Sequence, residues 1–251
     1  MNERDVVALR GNPAPTQRPT LRARRRAETI AEITDVARQH VAEHGLGGLS
    51  LRAVAREMGM AVSALYRYFP SRDDLVTALL LDAFTAQAEH VEAATRGHAD
   101  PVAALRAAFV AFRAWSIARP SEYGLMYGSP LPGYVAPEHP LLAAGTRVAA
   151  LLFSLVDKAE RQGLVDGSAT AQRVAALPSA HLEQLEAWRD RRRPETSLTG
   201  VVITVDLWTR LQGLVSLEVL GQLRPVLPDP GPYFLATADE VLTSAGFTSP
   251  R

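Results

Sequence analysis

The 251-residue chain has no cysteine, one lysine and no charge imbalance overall. Each absence removes a class of chemistry. Without cysteine there is no disulfide framework, no thiolate zinc site and no thiol nucleophile. A cysteine-free chain suits a reducing cytoplasm, and that is the expected location. The first 20 residues carry Arg4, Asp5, Arg10 and Arg18 among Pro13, Pro15 and Pro19. They lack the apolar stretch of a signal peptide. Charge interrupts the apolar stretches well before ~18 residues, so no membrane span is expected. Glycine-rich phosphate loops and a Gly-x-Ser-x-Gly elbow are missing as well. No catalytic residue and no cofactor is expected.

What is present is unevenly spread. Residues 1–72 hold 12 Arg against 7 acidic residues, a net of +5, which leaves −5 on the other 179. Only the N-terminal part is suited to meet a polyanion. Every basic residue except Lys158 is Arg. That bias, with abundant Ala, reads first as a GC-rich coding sequence.

The periodicity is helical throughout. Residues 1–20 read as a flexible tail. Ile30, Ile33, Ala37 and Val41 mark one face of a helix over about 25–44, ended by Gly45, Gly47 and Gly48. Ser50 caps a short helix to about Glu57, Gly59 makes a turn, and a third helix runs over Ala61–Tyr68. Ser71 caps a fourth, with Asp73 and Asp74 in its first turn. Later helices are expected over about 101–119, around 123–127, from Pro140 to about 162, over 169–192 with a break at Pro178, over 200–223 and over 231–245. The fold class is therefore all-α: a three-helix helix-turn-helix head over 21–72 and a larger helical body over 73–247.

The segment LSLRAVAREMGMAVSALYRYF, Leu49–Phe69, has two short helices about a Gly turn. On the second, Leu65 and Phe69 face inward while Val62, Ser63, Tyr66 and Arg67 face out. Such a face can touch base edges, a thymine methyl and phosphates together. The stretch over about 25–80 closely resembles the N-terminal domain of the tetracycline-repressor (TetR) family. The shared residues include Gly45, Leu49, Ser50, Arg52, Gly59, Leu65, Tyr66, Tyr68, Phe69, Ser71, Arg72 and Leu75. The resemblance implies double-stranded DNA as partner. It implies that Ser50 and Arg52 meet phosphate and an outer base, and that Val62, Ser63 and Ala64 begin the recognition helix. It places Tyr66 and Arg67 in the groove and Tyr68 and Arg72 on phosphate. Ala61 departs from the family's Ser or Thr and removes a helix cap. Arg22, Arg24, Arg25 and Arg26 read either as an arm for DNA or as a solvated charge run.

His40, Glu43 and His44 match H-x-x-E-H, the inverted zinc-peptidase pattern. A zinc hydrolase is the remote alternative, and no third ligand is evident. In the body, Trp208, Gln212 and Gly213 resemble the Trp-His-Gly subgroup of the family, with Gln in place of His. The resemblance implies a homodimer built from the helices at about 169–192 and 200–223, and a small-molecule effector. Phe109, Phe112, Trp115, Tyr123, Met126, Tyr127, Phe153 and Trp208 are the expected lining of a largely apolar effector site. Arg113, His139, Arg147 and Gln212 are candidates for a polar contact. Together these imply a ligand-released repressor on a palindromic operator. A regulator controlled by a protein partner is the alternative.

Overall fold

A computed structural model describes residues 20–128, 133–135 and 137–248. The expected flexible tail, apart from Thr20, lies outside them. Twelve helices and one isolated bridge, Val165 to Phe247, make up the regular structure of the described residues. The all-α expectation holds.

Helix α1 spans Leu21–Gly48, and the Thr20 hydroxyl caps it by accepting from the Ala23 N–H. It begins four residues earlier than the apolar face suggests, so Arg22 to Arg26 are helical and not a loose arm. Gly45 takes φ +70° and kinks the last turn, a backbone that costs glycine little. Ser50 caps α2 (Leu51–Glu57) through the Ala53 N–H. Gly59, at φ +65°, turns the chain into α3 (Val62–Leu65). This helix is shorter than the expected Ala61–Tyr68. Residues 66–68 continue as turns, with the Tyr68 and Phe69 N–H groups both donating to the Leu65 carbonyl. Ala61 provides no side-chain cap at its start. Ser71 caps α4 (Arg72–Thr95), with Asp73 and Asp74 in the first turn.

The body contains α5 (Pro101–Ala118), α6 (Pro120–Tyr127), α7 (Glu138–Gly145), α8 (Arg147–Arg161), α9 (Ser168–Ala175), α10 (Ser179–Arg192), α11 (Leu198–Val219) and α12 (Gly231–Ser244). The single helix expected from Pro140 is two, broken at Thr146. Pro178 separates α9 from α10, as its missing N–H requires. α5 is long and apolar enough to span a bilayer, contrary to the reading of broken apolar stretches. Half of it is buried at the centre of the body, where it packs on α4, α8, α11 and α12.

Two apolar cores result. The first joins Ile33, Ala37, Leu49, Val54, Leu65 and Phe69 to Leu75, Leu79 and Leu80 of α4. The second joins Ala88 and Val91 of the same α4 to Leu105, Phe112, Leu152, Val156, Leu207, Val215 and Phe234. Burying each large side chain contributes about 1.5–3 kcal/mol. One continuous helix therefore belongs to both cores. The head's core extends past Arg72 into α4.

Candidate functional site

The head presents a small exposed face over a closed core. Leu65 is wholly buried and Phe69 nearly so, which fixes α3 on α2. Ser63, Tyr66 and Arg67 are exposed on the outside, and Tyr66 keeps 46 % of its surface although it is aromatic. Val62 and Ala64 are half-buried beside them. Ser50 and Arg52 are exposed at the start of α2, the Ser50 oxygen already accepting the cap bond. A short helix with hydroxyl, phenol and guanidinium groups facing solvent has the size and donors to read a major groove.

Arg72 sits differently from the other basic groups. Its Nε donates to the Leu49 carbonyl and its Nη2 to the Leu46 carbonyl, both at 2.9 Å. The guanidinium thus ties the start of α4 to the turn between α1 and α2. One of its three nitrogens, Nη1, is left for any outside partner. Tyr68 is half-buried, with the Arg26 guanidinium 5.1 Å from its ring centre.

The H-x-x-E-H residues do not converge. His40 and His44 stack with ring centres 4.4 Å apart. His40 Nε2 lies 3.2 Å from the Gly48 carbonyl, and His44 Nδ1 is 3.3 Å from the His40 carbonyl. Glu43 instead accepts a hydrogen bond from Gln39. The pair fastens the end of α1. No metal-capable group of three side chains occurs among the described residues.

In the body, four of the eight expected pocket residues meet. Phe112, Tyr123, Tyr127 and Trp208 form one aromatic cluster, with ring centres 4.9 to 6.4 Å apart. Phe109 is buried in the same core. Trp115 is buried on α5 with Arg119 over its ring. Phe153 and Met126 are not in the cluster. Phe153 packs on Trp188, with Arg193 over its ring, and Met126 packs on the core of the head.

Polar groups thread the aromatic cluster. Tyr127 donates to Gln87 Oε1 at 2.8 Å, Gln87 Nε2 donates to Ser116 Oγ, and Ser116 donates to the Phe112 carbonyl. Tyr123 and Ser216 share a hydrogen bond of 2.7 Å. Burial pushes the Tyr127 and Tyr123 hydroxyls up from the ordinary phenol value. Trp208, Gln212 and Ser216 follow at four-residue spacing on one face of α11. Gln212 Oε1 is buried and accepts no hydrogen bond among the described residues. Of the other polar candidates, Arg113 pairs with Glu218 and Arg147 with Glu92, both through two nitrogens. The His139 side chain lies outside the described residues.

Sequence reasoning did not single out Gln87, Ser116 and Ser216. Gln87 is wholly buried yet lies four residues from Ala83 and Val91 on the apolar face of α4. A glutamine on a buried stripe was the available signal.

α6 has two faces in two cores. Tyr123 and Tyr127 belong to the body, while Leu125 and Met126 pack against the head. It also touches α1 directly.

Comparison with known proteins bears on both parts. Residues 33–79 match the family described as bacterial regulatory proteins, tetR family. Residues 105–241 match the tetracyclin repressor-like C-terminal domain. That match carries the general description and not the narrower Trp-His-Gly subgroup. The chain is 36 % identical over 221 residues to the HTH-type transcriptional regulator Rv1816 of Mycobacterium tuberculosis, covering 83 % of this chain and 88 % of the relative. Among solved structures, the regulatory protein SCO4313 superposes with a TM-score of 0.71 at 34 % identity, covering 89 % of this chain and all of that one. A shorter match, 37 % identity over 68 residues, is to the HTH-type transcriptional repressor DrrR1 of Streptomyces coeruleorubidus, covering 27 % of this chain and 23 % of the relative.

Proposed function

Because this chain belongs to the TetR family and is a helix-turn-helix transcriptional regulator, we propose that it is a homodimeric repressor released from a palindromic operator by a small, largely apolar effector. The observation that carries the DNA half is the exposed face of Ser63, Tyr66 and Arg67 on a short helix held by buried Leu65 and Phe69. Two such faces, related by a two-fold axis, would read two half-sites about one helical turn apart. Ser50, Arg52, Val62, Ala64 and Tyr68 flank them. Phosphate contacts set the register and base contacts set the sequence.

Dimerisation through α10 and α11 has support in what these helices leave uncovered. α10 buries none of its residues within the chain. Val205 and Leu217 of α11, and Leu220 just past its end, stay 51 %, 41 % and 60 % exposed. Apolar surface of this kind on paired helices suits a symmetric partner. DrrR1, the relative matched over the shorter stretch, is named a repressor, which favours that sign of control.

The effector would bind at Phe112, Tyr123, Tyr127 and Trp208. These rings fill their own space, so a ligand has to displace some of them. Gln212 Oε1, an acceptor left unpaired, favours an effector with one hydrogen-bond donor on an apolar body. Moving Tyr123 and Tyr127 moves α6, and α6 packs on α1 and on the head's core. The signal then has two routes to the recognition helices, through α4 and through α6. The effector acts only by its different affinity for the two arrangements, typically about 1–3 kcal/mol of coupling.

The test is in vitro selection of random duplexes by the full chain, followed by titration of the winner. A palindrome should be enriched. Tyr66→Ala should weaken binding to it by about 1–3 kcal/mol, roughly five- to over a hundredfold, with little change on random DNA. Failure to enrich any duplex refutes the reading.

A further inference from the structure

Beside the recognition helix lies a second basic surface. The first two turns of α1 and the chain just after α3 enclose a cleft of about 630 Å³. Its lining is Leu21, Arg22, Arg25, Arg26, Thr29, Arg67 and Tyr68. Four of these seven are arginines, and no carboxylate is among them. All four are exposed, and none joins an ion pair among the described residues.

The cleft is built rather than accidental. Arg26 lies against the Tyr68 ring and points Nη2 at the Arg67 carbonyl, 3.5 Å away. This contact joins the start of α1 to the end of the recognition segment. The Thr20 cap holds Arg22 and Arg25 in helix, where three-residue spacing puts them on one side. Arg24, on the same helix, does not line the cleft. Four like charges gathered without counter-charge repel one another unless an anion sits between them.

We propose that this cleft is a phosphate clamp, in which Arg22 and Arg25 grip the DNA backbone next to the groove read by Tyr66 and Arg67. The inference rests on the DNA-binding reading above and adds a contact surface to it. Arg67 and Tyr68 belong to both surfaces, so the backbone held in the cleft is continuous with the one bordering that groove. Arg26 positions the cleft by bracing Tyr68. The clamp raises affinity for every duplex and leaves sequence preference to α3.

The experiment titrates the full chain against its selected duplex and a random duplex over a range of salt concentrations. Arg25→Gln is compared with Arg24→Gln, which removes the same charge one residue away and off the cleft. Arg25→Gln should weaken both duplexes several-fold and flatten the logarithmic salt slope by about 0.9 per head. Arg24→Gln should leave the slope close to wild type. Arg25→Lys should restore it, since a phosphate accepts a point charge. Unchanged melting temperatures are expected, because Thr29 bonds only the Arg25 backbone carbonyl. Equal slopes for Arg25→Gln and Arg24→Gln, or no change with either, overturn the clamp while Tyr66→Ala still reports on the DNA reading. A wild-type chain that selects no duplex overturns both.

Discussion

The head and the body carry their functional groups in opposite ways. In the head, Leu65 and Phe69 are buried so that Ser63, Tyr66 and Arg67 can be outside. The proposed recognition chemistry lies on the surface of a finished core. In the body, Tyr123, Tyr127, Phe112 and Gln87 are themselves part of the core. A group that reads DNA can be exchanged at little cost to folding. A group that would bind an effector cannot, because stability and sensing share the same atoms. The difference accounts for the helix between them: α6 places Tyr123 and Tyr127 in one core and Leu125 and Met126 in the other. Under the proposed function, a change in body packing would reach the head through α6 without any ligand approaching it.

The sharpest way to break this contrast is Phe112→Ala. Phe112 is wholly buried and touches Tyr123, Tyr127 and Trp208. Truncation should cost about 3–5 kcal/mol of stability, read as a fall in melting temperature. DNA affinity of the folded fraction should shift too, through α6. A Phe112→Ala protein with wild-type melting would mean that the cluster is not a packed unit.

Arg72→Ala is the next largest. Its two hydrogen bonds to backbone carbonyls are charge-assisted, and losing them should destabilise the head by about 1.5–3 kcal/mol. Binding to specific and random duplexes should fall together. If Arg72 acts instead through phosphate, the salt slope should flatten by about one unit per head with no change in melting. Calorimetry and salt titration of one variant separate the two roles.

The smallest effect concerns acid. Asp157 is buried in the body, and that burial raises its carboxyl above the usual range despite the hydrogen bond from Thr196. A carboxyl whose folded pKa exceeds its unfolded one resists ionisation in the native state. Its charge works against folding above the folded pKa, and lowering the pH through that pKa relieves the cost. Asp157→Asn keeps an acceptor for Thr196 and loses the charge. A slightly higher melting temperature at pH 7, shrinking toward wild type as the pH falls, is expected from thermal melts. A lower melting temperature at pH 7 would show that the charge is used.

Much of this was legible from neighbouring residues alone. Ser50, Ser71 and Asp100 announce helix starts because a short acceptor side chain meets the N–H three residues on or nearer. Pro178 breaks the run between α9 and α10 because it cannot donate within a helix interior. Tyr66 and Arg67 could be put outside, and Leu65 and Phe69 inside, from period and polarity. The contacts over long separations were not legible. Arg72 reads as a phosphate contact only until Leu46 and Leu49 are found beside it, 26 and 23 residues back. Arg22 and Arg25 read either as an arm for DNA or as a solvated charge run until the Arg26–Tyr68 contact closes the cleft. Phe153 and Met126 looked like pocket residues because aromatic and sulfur side chains look alike in any core.

By itself the chain of amino acids determined most of the helices, the caps at Ser50 and Ser71, the break at Pro178, the basic head and the outward face of α3, since these depend on interactions within one or two turns. Tertiary structure alone decided which arginines reach solvent, which rings meet, and that α6 lies between two cores. Those outcomes depend on which surfaces are brought together, and no local pattern encodes the partner of a side chain that is fifty residues away.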